Sequence, residues 1–182
     1  MTTTSALAPQ TSLSHPPSAT NVVYSIIIPT YKEAKNLPTV IPNIYAALQQ
    51  SPFLNQTEVV VVDDNSQDGT IQVCDELIKR FGVPGGFTIR LITRTTDRGL
   101  SSAVLRGFSD SHGSYLLCMD ADGQHPAHVL PRLFTALHTS EFVIGTRKGG
   151  KVDSSWGLGR TIISKGAGAL VIPLTSMSDP MT

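Results

Sequence analysis

Short runs of apolar, mostly β-branched residues alternate with segments of helical pattern, and this alternation constrains the fold more than any other feature of the chain. The runs are Val22–Pro29, Glu58–Val62, Phe87–Thr93 and Tyr115–Met119, and a further strand is predicted at Glu141–Gly145. Runs that are apolar on both faces are typical of parallel strands buried between two layers of helices. The sequence therefore predicts an α/β fold, a three-layer sandwich with a mostly parallel central sheet.

Four helices are predicted between and after these strands, at 36–50, 69–81, 100–111 and 125–138. Asn36 is expected to cap the first helix, in which Pro42 is a possible point of distortion. Asp68 is expected to cap the second helix. In a sheet built from such units, ligands bind beyond the carboxyl ends of the strands, which is where the unusual polar residues of this chain lie.

The two ends of the chain differ in composition from this central pattern. Residues 1–21 are rich in Ser, Thr, Ala and Pro and lack the pattern of a secretory signal, so they are predicted to form a disordered tail. The folded domain is predicted at 22–182. Because the chain stops at Thr182 without a closing strand or helix, we expect this domain to be incomplete at its C-terminal end.

Charge and cysteine content exclude several classes of function. The 14 Lys and Arg residues balance the 14 Asp and Glu residues, so the chain has no electrostatic footprint for nucleic acid. No apolar run approaches the ~18–20 residues that a membrane-spanning helix requires. Cys74 and Cys118 lie in apolar stretches without metal-ligand spacing, and we expect both to be reduced thiols in the core.

An acidic cluster follows the fourth predicted strand, in the order Asp120, Ala121, Asp122, with Gln124 two residues later. Two carboxylates separated by one residue at a strand end can both approach one hard cation, and the amide of Gln124 adds a neutral oxygen. Such a site suits Mg²⁺ or Mn²⁺, which leave coordination positions open for phosphate. The alternative is structural, because Asp122 could instead cap the helix that follows.

The cluster at 120–124 is the second in the chain. The first acidic cluster, residues 63–70, follows the second predicted strand. Its spacing superficially resembles the start of an EF-hand loop, but a strand precedes it where a helix is required, and Asp75 stands at the last ligand position. We reject that interpretation. Asp63 and Asp64 are instead candidates to accept hydrogen bonds from a nucleobase or ribose.

Pro29 and the loop after the first strand occupy the position of the Gly-rich turn in dinucleotide-binding folds, yet no G-x-G-x-x-G is present. Tyr31 could stack on a base there, and Glu33 could accept a hydrogen bond from it. Arg147, after the fifth predicted strand, could form charge-assisted bonds to a diphosphate. No Ser-His-Asp or Cys-His arrangement is supported.

The order of these pieces is more specific than any one of them. Taken together, the segments 25–38, 61–70, 98–103 and 119–126 strongly resemble family 2 glycosyltransferases of the GT-A fold. The continuation narrows the resemblance to the dolichol-phosphate mannosyltransferases within that family; it comprises 144–147, Trp156, 160–164 and 178–181. The resemblance implies transfer of mannose from GDP-mannose to dolichyl phosphate, with inversion at the anomeric carbon.

The resemblance also implies roles for individual residues. It places Pro29, Tyr31, Glu33 and either Asp63 or Asp64 at the nucleotide, with Val61 or Val62 lining the pocket. It places Ala121 and Asp122 beside the diphosphate, and Asp120, Asp122 and Gln124 as ligands of Mg²⁺ or Mn²⁺. Arg147 matches a family arginine at the donor pocket, so Asp122 and Arg147 are the candidate catalytic residues.

Location and partners are implied in the same way. The resemblance implies the cytosolic face of the endoplasmic reticulum membrane, a role in protein glycosylation and GPI-anchor assembly, and anchoring by a C-terminal span or by small membrane subunits. The chain ends before the family's later basic residues, and Lys148 stands where many relatives have tyrosine. The competing hypotheses are a dolichyl-phosphate glucosyltransferase that uses UDP-glucose, another polyprenyl-phosphate glycosyltransferase, and a catalytically silent nucleotide-binding module.

Overall fold

The computed structural model describes residues 21–145. The predicted tail, apart from Asn21, and all residues from Thr146 onward lie outside the described part. The principal elements, in chain order, are β1 (Tyr24–Thr30), α1 (Leu37–Leu48), β2 (Thr57–Asp63), α2 (Thr70–Phe81), β3 (Thr88–Thr93), α3 (Leu100–Ser109), β4 (Tyr115–Cys118) and α4 (Leu130–Leu137). Short 3₁₀ turns occur at Leu54–Gln56 and Ala127–Val129. The first four predicted strands and the four predicted helices are therefore confirmed, with shifts at their ends.

The four strands form one parallel sheet in the order β3-β2-β1-β4. In β1 and β2 every residue is buried, which explains why these two runs are apolar or β-branched on both faces. The chain adds β2 and β3 on one side of β1 and then returns to place β4 on the other side. This reversal creates a switch point between β1 and β4, and binding crevices form at the carboxyl end of such a point.

Helices cover the sheet on both faces. α3 places Ala103 and Phe108 against Ile27, Val60 and Val62. A Cβ at position 107 would collide with the Ile27 side chain, so Gly107 allows α3 to approach β1 closely. α1 and α2 contact each other, and right-handed β-α-β connections place them on the opposite face from α3. The predicted three-layer arrangement is confirmed.

The amino edge of the sheet is closed by a buried carboxylate. Glu58 is fully buried; it accepts hydrogen bonds from Ser25 Oγ at 2.6 Å, from the His112 amide at 2.6 Å and from Arg90 Nη1 at 2.9 Å. Burial by itself raises the pKa of Glu58, but these hydrogen bonds and the Arg90 charge outweigh it, and the pKa is lowered. The Glu58 carboxylate is therefore satisfied within the protein.

Three local expectations are corrected by the structure. Residues 141–145 form no strand, and Phe142 and Ile144 are exposed there, so the apolar run lacks the burial that a central strand would give it. The Asn36 side chain makes no cap; its amide donates to Glu33 Oε2 at 2.5 Å instead. Cys118 is a free thiol as expected, but it is exposed on the edge strand β4 and is not in the core.

The chain divides into two compact units, Met1–Pro131 and Arg132–Thr182. The whole sheet and helices α1 to α3 belong to the first unit. The described part of the second unit contains most of α4, followed by residues without regular secondary structure. The loops that follow the four strands at the carboxyl edge of the sheet also belong to the first unit.

Candidate functional site

A cavity of about 530 Å³ lies at the carboxyl edge of the sheet, where the loops after all four strands meet. The residues that line it are Pro29, Thr30, Tyr31, Glu33, Asp64, Arg98, Gly99, Leu100, Ala103, Asp120, Ala121 and Asp122. The strand order alone brings these residues together, because they are separated by up to about ninety positions in the chain. The cavity therefore contains most of the site residues that the sequence predicts.

The loop after β1 supplies an aromatic side chain and a carboxylate to this cavity. Tyr31 is 54% exposed, and Lys32 Nζ lies 5.3 Å from the centre of its ring. Side chains from the turn between β2 and α2 fix the backbone of this loop. The Lys32 amide donates to Ser66 Oγ at 2.8 Å, and the Ala34 amide donates to Asp68 Oδ2 at 3.1 Å. Residues of the first acidic cluster thus determine where Tyr31 and its neighbour Glu33 stand.

Asp63 is only 1% exposed, and its hydrogen-bonding capacity is used within the protein. It accepts hydrogen bonds from the Ser66 amide at 2.9 Å, from Ser66 Oγ, and from Thr30 Oγ1 at 3.3 Å. The side chain joins the end of β1 to the turn that follows β2. Asp63 lines a second, smaller cavity of about 330 Å³ together with Asn65 and Gln67, and not the larger one.

Asp64 lines the larger cavity but is also saturated by protein donors. Its Oδ1 accepts hydrogen bonds from Arg94 Nε at 2.7 Å and from Arg94 Nη2, and its Oδ2 accepts one from the Gly99 amide at 2.7 Å. Asp64 and Arg94 are both buried, at 6% and 7% exposure. The pair therefore joins the end of β2 to the loop that begins α3.

The sequence predicts Asp68 as the N-cap residue of α2, but Gly69 holds that position; Asp68 instead bonds the first residue of the helix and the loop after β1. Its Oδ1 accepts hydrogen bonds from the amide of Thr70 at 3.1 Å and from Thr70 Oγ1 at 2.7 Å, at the first residue of α2. Its Oδ2 accepts the Ala34 amide from the loop after β1. Desolvation raises the pKa of Asp68, but the hydrogen bonds from Thr70 and Ala34 outweigh it, and the pKa is lowered.

The second acidic cluster is the open one. The Asp120 side chain is 50% exposed and Asp122 is exposed. Asp122 Oδ1 accepts the Gln124 amide at 2.9 Å, and the Asp120 amide donates to His125 Nδ1 at 3.1 Å, with His125 Nε2 3.7 Å from Asp120 Oδ2. Within residues 21–145, no arginine or lysine pairs with either carboxylate. Both can therefore accept a cation or a donor from a ligand.

Some predicted site residues do not line the larger cavity, and one lies outside the described residues. Val61 is fully buried in β2, and neither it nor the equally buried Val62 is among the residues that line the larger cavity. Gln124 is exposed next to the cavity without lining it, and the contact it makes with Asp122 is through its backbone amide. Arg147 lies outside the described residues. The binding and catalytic roles of all the named side chains stay predictions.

The donor set fits a cation that needs few protein ligands. Among the described residues, no three His, Cys, Asp or Glu side chains come together in a group that could hold a metal ion. Mg²⁺, however, is commonly held by one or two carboxylates and completes its shell with water and substrate phosphate oxygens. Asp120 and Asp122, open and on the same cavity wall, supply that pair.

Sequence reasoning assigned no role to the third wall of the cavity. This wall lies at the start of α3 and consists of Arg98, Gly99, Leu100 and Ala103. Arg94 supports it through hydrogen bonds to the carbonyls of Asp97 and Gly99. A usable signal was present, because Arg98 and Gly99 follow shortly after a strand whose carboxyl end meets those of the others. Arg94 itself gives no such signal, since its partner Asp64 is thirty residues away in sequence.

The fold and the site define an α/β domain of the GT-A class with a polar crevice at its switch point. Residues 25–169 match the protein-family model described as glycosyl transferase family 2. The chain belongs to this family. The fold class and the family expected from the sequence are both confirmed.

Curated relatives carry a narrower description. The chain is 42% identical over 164 residues to a dolichol-phosphate mannosyltransferase of Saccharomyces cerevisiae, an alignment that covers 89% of this chain and 59% of the relative. It is 45% identical over 163 residues to the protein of the same name from Mycosarcoma maydis, covering 87% and 54%. The chain thus spans little more than half the length of these relatives, and the expected resemblance to this subfamily is confirmed.

A solved structure supports the fold independently. It is a mannosyltransferase from Pyrobaculum calidifontis in complex with GDP-Man and Mn²⁺, and the two chains are 26% identical. The superposition has a TM-score of 0.53 and covers 69% of this chain and 35% of the other. The likeness therefore supports the α/β fold over about two thirds of the chain.

Proposed function

We propose that the protein to which this chain belongs transfers mannose from GDP-mannose to dolichyl phosphate, giving dolichyl phosphate mannose and GDP. The observation that carries the proposal is the identity of 42–45%, across 87–89% of the chain, to relatives named dolichol-phosphate mannosyltransferase. The mannosyltransferase solved with GDP-Man and Mn²⁺ supports the choice of donor. Because the chain spans 44–59% of those relatives, the activity of the whole protein is inferred.

In this proposal the nucleotide occupies the cavity of about 530 Å³. The exposed ring of Tyr31 offers a stacking surface to the base, and the Glu33 carboxylate accepts hydrogen bonds from base N–H groups. Asp64 contributes to the wall while it remains bonded to Arg94 and Gly99. Arg98 brings a positive charge to the same wall, where it favours an anionic donor.

Asp120 and Asp122 are the residues that would hold Mg²⁺ or Mn²⁺, with Gln124 as a further oxygen ligand. The cation would neutralise charge on the diphosphate and on the departing nucleoside diphosphate. Ala121, only 3% exposed, lies between the two carboxylates, and its burial fixes the turn from which both side chains project. His125, which accepts the Asp120 amide hydrogen bond, orients that turn.

The acceptor needs little activation by the protein. A dolichyl phosphate oxygen is already an anion near neutral pH; it attacks the anomeric carbon as the bond to GDP breaks, which inverts the configuration. Catalysis then depends on positioning and on stabilisation of negative charge. The described site contains open carboxylates and a cavity-lining arginine, and Arg147 is the proposed second arginine from outside the described residues.

The acceptor is a lipid, so the proposal also includes the cytosolic face of the endoplasmic reticulum membrane and a role in protein glycosylation and GPI-anchor assembly. In the described residues, none of the helices combines the length and apolar character required to cross a membrane. Anchoring by small membrane subunits or by a C-terminal span of the longer protein belongs to the same proposal.

The test is calorimetric titration of the chain with GDP-mannose and with UDP-glucose, first with Mn²⁺ or Mg²⁺ and then with excess chelator. We expect GDP-mannose to bind at least roughly tenfold more tightly than UDP-glucose, a difference of about 1.4 kcal/mol. We also expect the chelator to abolish this binding. Preference for UDP-glucose would replace the mannosyltransferase with the glucosyltransferase, and no binding of either donor would overturn the proposed donor site.

A further inference from the structure

We infer that Arg94 is a positioning residue of the donor site. Together with Asp64 it holds residues 97–99 in place as one wall of the cavity, and so determines how tightly a nucleoside diphosphate donor is bound. Arg94 itself does not line the cavity, whereas Arg98 and Gly99 do. The inference rests on the proposed function for the identity of the ligand, but the contacts that carry it do not depend on that function.

Arg94 makes an unusually complete set of bonds for a buried arginine. Its Nε and Nη2 donate to Asp64 Oδ1, its Nη1 donates to the Asp97 carbonyl at 2.9 Å, and its Nη2 donates to the Gly99 carbonyl at 3.1 Å. Its own amide donates to the Asp63 carbonyl at 2.7 Å. The guanidinium thus connects the end of β2 to two backbone positions of the 97–99 loop.

Asp64 completes the connection from the other side. While its Oδ1 binds the guanidinium, its Oδ2 accepts the Gly99 amide at 2.7 Å. Gly99 is therefore held at both its N–H and its C=O by a buried ion pair. The Arg94 and Asp64 side chains are 6% and 9% exposed, so solvent competes little for these bonds.

The backbone of the loop adopts conformations that are uncommon for residues with a Cβ. Asp97 has φ 53°, in the left-handed region, and Gly99 has φ 128°, which glycine adopts readily and other residues rarely do. The bonds from Arg94 and Asp64 select this conformation from the many that are open to a glycine. Arg98 lies between Asp97 and Gly99 and lines the cavity, so a loosened loop would displace the positive charge that faces the donor.

These contacts require the planar guanidinium group of an arginine. Its bonds run in three directions, to the Asp64 carboxylate and to two carbonyl oxygens, and a lysine ammonium on a flexible stem cannot reproduce them together. Arg94→Lys should therefore keep a charge near Asp64 but release the loop.

The chain contains a matched control four residues earlier on β3. Arg90 also pairs with a buried carboxylate of β2, Glu58, at 2.9 Å, but at the amino edge of the sheet. Its other contacts are the Asp110 carbonyl and the His112 ring, and it does not line the cavity. Arg90→Met therefore also leaves a buried carboxylate without its arginine, and it should lower the melting temperature without touching the site.

Two measurements on the full chain test the inference. The first is hydrogen exchange of the Gly99 amide without ligand, in which Arg94→Met should exchange at least roughly tenfold faster than wild type. The second is calorimetric binding of GDP-mannose with Mn²⁺. Here Arg94→Met should lose roughly 10- to 100-fold in affinity, as when a site wall moves by about 1 Å. Arg90→Met should retain wild-type values in both.

Each outcome is decisive. Equal Gly99 exchange in Arg94→Met and Arg90→Met would overturn the inference, as would wild-type GDP-mannose affinity in a folded Arg94→Met. If Arg94→Met does not fold, the same two measurements on Arg94→Lys decide, and wild-type values there would overturn it. Failure of the wild-type chain to bind GDP-mannose would contradict the proposed function instead. Hydrogen exchange of the Gly99 amide without ligand would then still test whether Arg94 holds the 97–99 loop.

Discussion

The two acidic clusters of this chain resemble each other in sequence and differ in what their carboxylates bind. Asp63 and Asp64, at the end of β2, are buried and accept their hydrogen bonds from protein donors. Asp120 and Asp122, after β4, are exposed, and in the described part of the chain neither pairs with an arginine or lysine. The first cluster holds the loops of the site in position, and the second leaves its charge available to a ligand.

This difference shows that a carboxylate at a strand end is not by itself a binding residue. Carboxylates of both clusters lie beyond the carboxyl ends of parallel strands, where ligands collect. What separates them is burial: a buried carboxylate must be satisfied within the protein, whereas an exposed one can exchange water for a cation. This division of roles would be wrong if Asp63 or Asp64 bound the donor directly, or if Asp120 or Asp122 contributed substantially to the free energy of unfolding.

The largest effect is expected for Asp122→Asn. Removing one of the two open carboxylates should weaken metal-dependent GDP-mannose binding by roughly 100-fold or more, about 2.8 kcal/mol, because a neutral amide replaces a charged oxygen ligand of the cation. The melting temperature should stay at the wild-type value. Calorimetry with Mn²⁺ measures the affinity, and Asp75→Asn on the exposed face of α2 removes the same charge away from the cavity. Unchanged affinity would remove Asp122 from the site.

The next effect is on stability and concerns Asp63→Ala. This variant leaves the Ser66 amide and hydroxyl without their buried acceptor and removes one of the two acceptors of Thr30 Oγ1, so we expect a loss of about 2–3 kcal/mol in the free energy of unfolding. Urea unfolding measures it, and Asp122→Ala in the same assay should change the free energy by no more than about 0.5 kcal/mol. Similar losses of stability in both variants would contradict the assignment of a structural role to the first cluster and a ligand-binding role to the second.

The smallest effect is the pH dependence contributed by Asp68. Its pKa is lowered from the ordinary value of 3.8, so the ionised side chain stabilises the fold above that pH, and this contribution is lost as pH falls through the lower folded-state pKa. We expect Asp68→Asn to melt slightly below wild type near neutral pH, with the difference shrinking as pH falls below the ordinary pKa of 3.8. A difference that grows on acidification would contradict the lowered pKa. Melting curves across this range, with Asp75→Asn alongside, provide the measurement.

Much of the fold could be predicted from the residues, for a physical reason that is local. The runs that became β1 and β2 are apolar or β-branched on both faces, and only a parallel sheet covered on both sides buries them completely. The run at 141–145 shows the limit of the same argument. Its apolar residues indicated a strand, but pairing and burial depend on neighbours that the run does not specify.

The site was predicted in position more fully than in detail. Tyr31, Glu33, Asp120 and Asp122 line the expected cavity because strand ends meet at one edge of a parallel sheet. Val61 does not line it, because helices cover both faces of β2 and its side chain is fully buried between the layers.

By itself, the sequence determined the α/β fold, the edge at which the polar residues meet and the family to which the chain belongs. Only the tertiary structure decided which carboxylates are available. Asp64 is saturated by Arg94 and Gly99, which are thirty or more residues away in the chain, and no local pattern specifies such partners. Asp63 is bonded by the nearby Ser66 and by the distant Thr30. Burial and long-range hydrogen bonding, which arise only when the strands assemble, thus separate the residues that build the site from those left open to a ligand.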